Sequence, residues 1–133
     1  MTTDIVITTA HNDYRLNGTL TFLNLGAGVA TVEIYGNTRA LTPGDPAGTT
    51  PLVIIELADP AGAVEDGELV LEPAEDAIID TTGTATWARI KNGNGDVALD
   101  CDVSVTAGTA LIRLPNLELY AGGATRLLTS SLG

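Results

Sequence analysis

Cysteine occurs once in the 133 residues, at Cys101, and histidine once, at His11. A single cysteine permits no intrachain disulfide, which excludes the small secreted disulfide scaffolds. A single histidine has no second imidazole with which to share a metal. Basic side chains are also scarce. Arg15, Arg39, Arg89, Lys91, Arg113 and Arg126 stand alone along the chain against 17 acidic residues, for a formal net charge of 6 − 17 = −11. Neutralising a phosphate backbone requires clustered Lys and Arg, so nucleic acid is excluded as a partner. An anionic membrane surface is disfavoured by the same charge. The longest apolar run, Leu52 to Ile55, falls far short of the roughly 20 residues that a membrane span needs. The opening MTTDIVITTAHND has neither a basic start nor a long apolar stretch, so no signal peptide is expected. The expectation is a soluble protein retained where it is translated, unless it is packaged into something larger.

Catalytic equipment is equally thin. The serines are Ser104, Ser130 and Ser131, with no nucleophile elbow around them. Gly26–Ala27–Gly28 precedes a strand pattern rather than a helix, so it is not a phosphate loop. The five aromatics, Tyr14, Phe22, Tyr35, Trp87 and Tyr120, are too few to line a sugar-stacking cleft. This argues against a carbohydrate-binding module and against the paired-carboxylate chemistry of a glycosidase. No catalytic residue, cofactor or metal site is assigned, and the reading is of a protein that is not an enzyme.

What the chain does have is the material of a folded β-protein. Hydrophobic residues make up 44% and charged residues 17%, the reverse of a disordered acidic tail. Fifteen glycines and six prolines punctuate short segments rich in Val, Ile, Leu and Thr. Val97, Leu99, Cys101, Val103 and Val105 alternate with Asp96, Ala98, Asp100, Asp102 and Ser104, which predicts a strand with one buried face. Thr84 to Lys91 is its partner, joined through Asn92–Gly93–Asn94–Gly95, whose Asn-Gly pairs suit a tight hairpin. On this reading Trp87, Leu99 and Val103 are buried together where the hairpin packs. Further strands are expected at Val29–Tyr35, Leu52–Leu57, Glu68–Glu72, Ala110–Leu114, Leu117–Tyr120 and Thr125–Thr129, with loops over Gly36–Pro51 and Asp59–Asp66. Leu16, Leu20 and Leu23 have the i, i+4, i+7 spacing of one helix between about Asn12 and Leu25, capped by Asn12 or Asp13. The fold class is all-β, an antiparallel sandwich or jelly roll with one short N-terminal helix. Residues 1–9 form an arm and residues 10–133 a single β-sandwich domain.

Three features carry weighable chemistry. Cys101 sits on the inward strand face, where cysteine acts as a small hydrophobe. Asp96, Asp100 and Asp102, with Asn92 and Asn94 in the adjoining turn, offer hard oxygens to a calcium ion. Side chains two apart on a strand lie roughly 7 Å from each other, however, so a cage would need a second segment. The acidic set Glu65, Asp66, Glu68, Glu72, Glu75 and Asp76 reads as a solvated face or a surface for a basic partner.

The order of these pieces resembles a known family. Val32–Glu33–Ile34–Tyr35–Gly36 ends a strand, and Thr49–Thr50–Pro51–Leu52–Val53 opens the next. Thr82–Gly83–Thr84–Ala85–Thr86–Trp87–Ala88–Arg89–Ile90 follows, then Asp96–Val97 and Asp100–Cys101–Asp102–Val103, and finally Leu117 to Ala124 around Gly122–Gly123. Over roughly residues 25 to 130 the series resembles small structural proteins of tailed bacteriophages. The resemblance implies a virion component, specified as a capsid decoration (cement) protein on the outer head surface that contacts the major capsid protein or other virion proteins. It also implies a homo-oligomer, most simply a trimer. A tail, collar or baseplate component is the alternative.

The remaining feature is the arm itself. Ile5, Val6 and Ile7 are consecutive β-branched apolar residues near a terminus, costly to leave in water and suited to strand addition. Asp4, Ile5, Val6, Ile7 and Thr8 are therefore the expected protein interface, pairing with a sheet edge of a neighbouring subunit or with the capsid protein. The competing reading adds them as an edge strand to their own sheet.

Overall fold

The computed structural model describes residues 6–105, 108 and 110–133. The chain opens on the helix that the leucine spacing predicts. Helix α1 runs over Thr9–Leu23 and buries Leu16 and Leu23. Its start lies three residues ahead of the expected one. Thr8, in an extended conformation (φ −71°, ψ 156°), is the N-cap, and its hydroxyl accepts from the His11 N–H at 3.1 Å. Asn12 and Asp13, expected as caps, are spent elsewhere. Asn12 Nδ2 donates to the Gly67 carbonyl at 3.1 Å, and Asp13 Oδ1 accepts from the Gly67 N–H at 3.0 Å. Together they tie the first turn of the helix to a distant β-turn.

The rest of the described chain is mostly strand: β1 Thr31–Tyr35, β2 Val53–Glu65, β3 Glu68–Pro73, β4 Ala77–Ile78, β5 Gly83–Thr84, β6 Trp87–Lys91, β7 Val97–Ser104, β8 Ile112–Arg113, β9 Glu118–Leu119, β10 Ala124–Thr125 and β11 Ser131–Leu132. Seven of them form one sheet in the order β11-β3-β2-β1-β6-β7-β8, and β10-β4 and β5-β9 are separate two-stranded ribbons. The pairings are antiparallel except β7 with β8, which is parallel. The alternation in β1 is as expected, with Ala30, Val32 and Ile34 fully buried. They meet Val53, Ile55 and Leu57 from β2, Ala88 and Ile90 from β6, and Leu16 and Leu23 from the helix in one core.

Several expectations are corrected. Asp59–Asp66 is not a loop: β2 continues to Glu65, with a register shift between Leu57 and Gly62 that absorbs Pro60. The turn that follows is Asp66–Gly67, with φ of 50° and 81°, the left-handed pair of a tight hairpin. The partner of β7 begins at Trp87, because Gly83–Thr84 pairs with β9 instead. The last strand is Ser131–Leu132 rather than Thr125–Thr129. Val6 to Thr8 is not strand but the extended lead into the helix.

Ser130 brings the two ends of the large sheet together. Its hydroxyl accepts from the Arg113 N–H of β8 at 3.2 Å, and its carbonyl accepts from the Leu71 N–H of β3 at 2.9 Å. Leu128 N–H donates to the Arg113 carbonyl at 2.9 Å. Since β3 and β8 lie near opposite ends of the strand order, these contacts nearly close the sheet.

The end of α1 is fixed by close backbone approach. Gly93 N–H donates to the Leu25 carbonyl at 2.9 Å. A Cβ on Gly93 would lie 2.1 Å from the Gly28 oxygen and 2.9 Å from the Leu25 oxygen. Gly18, within α1, has nothing within 4 Å of a Cβ position. Gly93→Ala should therefore destabilise the fold by about 1–3 kcal/mol through overpacking, whereas Gly18→Ala should stabilise it by roughly 0.5–1 kcal/mol through helix propensity. Chemical denaturation of the two variants beside the parent chain checks both signs.

Candidate functional site

Two regions gather the side chains that could act on something else. The first lies on the face of β1, β6 and β7 that turns away from the core. The register pairs Tyr35 with Trp87, Glu33 with Arg89, Arg89 with Asp100 and Trp87 with Asp102. In β6 the residues Trp87, Arg89 and Lys91 therefore share one face, and Ala88 and Ile90 share the other. This corrects the sequence reading of the hairpin: Trp87 is buried, at 1% exposure, but opposite Leu99 and Val103 rather than beside them. Leu99 is only half-buried, because β7 has little covering it on its outer side.

The cluster is held by mutual satisfaction. Trp87 and Tyr35 stack with ring centroids 4.5 Å apart and planes at 18°. Arg89 places Cζ 5.3 Å from the Trp87 ring centroid. The guanidinium forks onto Asp100, with Nε to Oδ1 at 2.8 Å and Nη2 to Oδ2 at 3.0 Å, and both side chains are at most 5% exposed. Glu33 accepts from the Tyr35 hydroxyl at 2.6 Å and pairs with Lys91 Nζ at 3.2 Å. Trp87 Nε1 donates to Asn37 Oδ1 at 2.9 Å, while Asn37 Nδ2 donates to the Ala47 carbonyl at 2.7 Å. Asn37 thus holds the 36–51 loop against the ring.

The electrostatics follow from that packing. Burial, and then the hydrogen bond to Glu33, hold the Tyr35 hydroxyl well above its ordinary pKa. The hydrogen bonds that Arg89 donates to Asp100 hold its guanidinium protonated beyond its already high ordinary value. Neither group is poised to exchange a proton near neutrality. Cys101, on the opposite face, is pushed up to about 12, first by burial and then by the charge of Asp102. Its thiol is therefore a poor nucleophile, in keeping with the packing role expected for it.

The oxygens weighed above for a calcium ion are not brought together. Asp100 is taken by Arg89, and Asp102 by Arg39 Nη1 at 3.1 Å on the exposed side. Among the described residues no group of three or more His, Cys, Asp or Glu is placed to hold a metal. The His11 side chain is exposed. Of the expected interface residues, Asp4 and Ile5 lie outside the described residues. Val6 is 94% exposed, Ile7 is partly covered and Thr8 caps the helix.

The second region was not anticipated from the sequence. Between Val97 and Asp102, β7 pairs with β6 on one side, and its outer side meets β8 only at Val103 and Ser104. Among the described residues the outer edge of this stretch has no strand partner. Alongside it runs a groove of about 510 Å³ lined by Arg15, Gly18, Thr19 and Phe22 of α1 and by Val97, Ala98 and Leu99 of β7. The usable signal for it was the polar, glycine-bearing side of the helix at Arg15, Gly18 and Thr19. The Arg89–Asp100 pair also had a signal: the two residues are near-equidistant from the Asn92–Gly95 turn and of opposite charge.

No family model matches the chain, and no curated protein or solved structure matches it significantly.

Two measurements test the cluster and the thiol. Removing one partner of the Arg89–Asp100 pair, as in Asp100→Leu, should cost about 3–5 kcal/mol, whereas the double change Arg89→Met with Asp100→Leu should recover most of that loss. A double-mutant cycle in denaturant reads the coupling. The raised Cys101 pKa means that the folded chain binds the proton more tightly than the unfolded chain. Stability from this group is therefore full below the ordinary thiol value of 9.0 and falls as pH rises from there towards about 12. Cys101→Ala should flatten that alkaline fall in unfolding free energy, and the parent thiol should react with iodoacetamide at pH 8 only after denaturation.

Proposed function

We propose that this chain is a structural subunit of a tailed-bacteriophage particle, specifically a decoration (cement) protein on the outer face of the head that acts through protein–protein contacts and catalyses no reaction. The observation that carries this reading is where the motif residues fall. Three of the segments behind the resemblance, Val32–Tyr35, Trp87–Ile90 and Val97–Val103, meet in the single block β1–β6–β7. There Tyr35, Trp87, Arg89 and Asp100 are consumed by one another, so the motifs serve the fold and leave the work to surfaces. A net charge of −11 suits a position facing away from packaged DNA. A sandwich or jelly-roll description of the β-rich fold accords with this role, with the two ends of the seven-stranded sheet brought together through Ser130.

The partners in this reading are the major capsid protein, other virion proteins and further copies of the chain, most simply in a trimer, and its location is the capsid surface. A reconstruction of the particle whose genome encodes the chain, with its copies located and counted, is the test. Hundreds of copies on the head lattice are expected. A dozen or fewer at a vertex or along the tail would replace decoration with a tail, collar or baseplate role. Absence from the purified particle would overturn the virion reading itself.

A further inference from the structure

The open stretch of β7 and the groove beside it form a receptor for an extended segment. We propose that its occupant is the N-terminal segment of a second copy of this chain, with Asp4 to Thr8 added as a strand along the outer edge of β7. This deepens the subunit role proposed above by naming the contact through which copies join, and it rests on that role only for its biological setting.

Backbone geometry makes the edge receptive. The Ser104 carbonyl points outward to accept from the Leu114 N–H at 2.9 Å. Alternate residues of a strand present their backbone groups to the same side, so Asp102 and Asp100 offer theirs outward too. The regular part of the edge ends at Ala98, the extra residue where Ile90 pairs with Leu99 but Lys91 pairs with Val97. The regular open stretch, the four residues 99–102, is therefore about 13 Å long at about 3.3 Å per residue. The five residues Asp4 to Thr8 are long enough to span it.

Chemistry matches as well. The wall made by Phe22, Val97 and Leu99 is apolar and half-covered, and Ile5 and Ile7 share one face of an extended strand that could complete it. Arg15 is the sole charged residue of the groove lining, and Asp4 is the sole charged side chain among residues 1–8. In a chain of net charge −11, this segment carries a single acidic side chain. Val6, within it, is 94% exposed.

The copy supplying the segment is a different one for a geometric reason. The start of α1 is pinned to the Gly67 turn by Asn12 and Asp13, whereas the groove lies along Arg15 to Phe22, further down the helix. To reach its own groove the segment would have to double back along the helix. Residues 5–8, which link Asp4 to the helix, contain no Gly, Pro, Asn, Asp or Ser to make that turn, and Thr8 enters the helix extended.

Two variants test the two halves separately. Deleting residues 2–7 removes the segment and leaves the groove. Gly18→Glu fills the groove, at a helix position with no atom within 4 Å of a Cβ, and leaves the segment. Sedimentation of the full chain from micromolar to millimolar concentration should show an oligomer that strengthens with added salt, because screening weakens repulsion between acidic copies. Each variant alone should sediment as a monomer that melts no lower than the parent chain diluted to monomer, and an equimolar mixture of the two should form a complex of twice the single-chain mass. Thr19→Glu serves in place of Gly18→Glu if the latter lowers the melting temperature. A monomeric full chain overturns the proposal, as does an oligomer that survives either variant or a mixture that stays monomeric. A deletion that lowers the melting temperature of a monomeric chain would place the segment on its own sheet. None of these results bears on whether the chain is in the virion, which the particle reconstruction decides separately.

Discussion

A single ion pair sets the register of the central strands. Arg89 and Asp100 are directly opposed across β6 and β7 and are almost fully shielded from water. A charge in that position is tolerable only with its partner in bidentate contact, since either one alone would be buried uncompensated. Sliding β6 by one residue would send Arg89 into the apolar core and Ile90 out of it. The same face carries Glu33 with Lys91 and Tyr35 with Trp87, so the register of β6 against β1 is fixed by the same side chains that fix it against β7. The pair therefore contributes to specificity as much as to stability, and it explains why β6 can be buried on both faces.

Burial on both faces is also where sequence reading and structure part. The hairpin, its turn and the strand β1 were legible because alternation and Asn-Gly pairs are local signals. The helix was legible from Leu16, Leu20 and Leu23, although its cap was not, because Asn12 and Asp13 are drawn to Gly67, 55 and 54 residues away. Trp87 read as core filler and is buried. Its face was misjudged because a large apolar ring was assumed to join the aliphatic core, when its partners are Tyr35, Arg89 and Asn37. The length of β2 was hidden by Pro60 and Gly62, which mark a turn in most contexts and here mark a register shift inside a strand. Strands of two residues, such as β4, β5 and β11, are below what periodicity can resolve, since their pairing depends on where the rest of the chain has placed them.

The candidate surfaces were less legible than the fold for the same physical reason. A groove belongs to no segment: Arg15 and Phe22 come from the helix, and Val97 and Leu99 from a strand some eighty residues away in sequence. What the sequence did show was the apolar segment around Ile5 to Ile7, the occupant proposed for that groove. Composition marked it as a strand without a mate but could not say where a mate would be found.

The placement of that open edge is a consequence of how the sheet ends are managed. Near β8 and β11 the ends are tied to each other through Ser130, Leu128 and Arg113. Along β7 before Val103, β8 is too short to follow, and among the described residues that stretch of edge has no strand partner. An exposed ladder invites uncontrolled association, and the chain limits this there by the extra residue at Ala98, by Asp102 with Arg39 on the outward face, and by its overall acidity. These devices discourage a generic partner without sealing the apolar wall of Phe22 and Leu99. In the contact proposed above, an edge so guarded admits a short segment that is apolar on one face and carries one acid, and disfavours the flat, charged edge of another whole sheet.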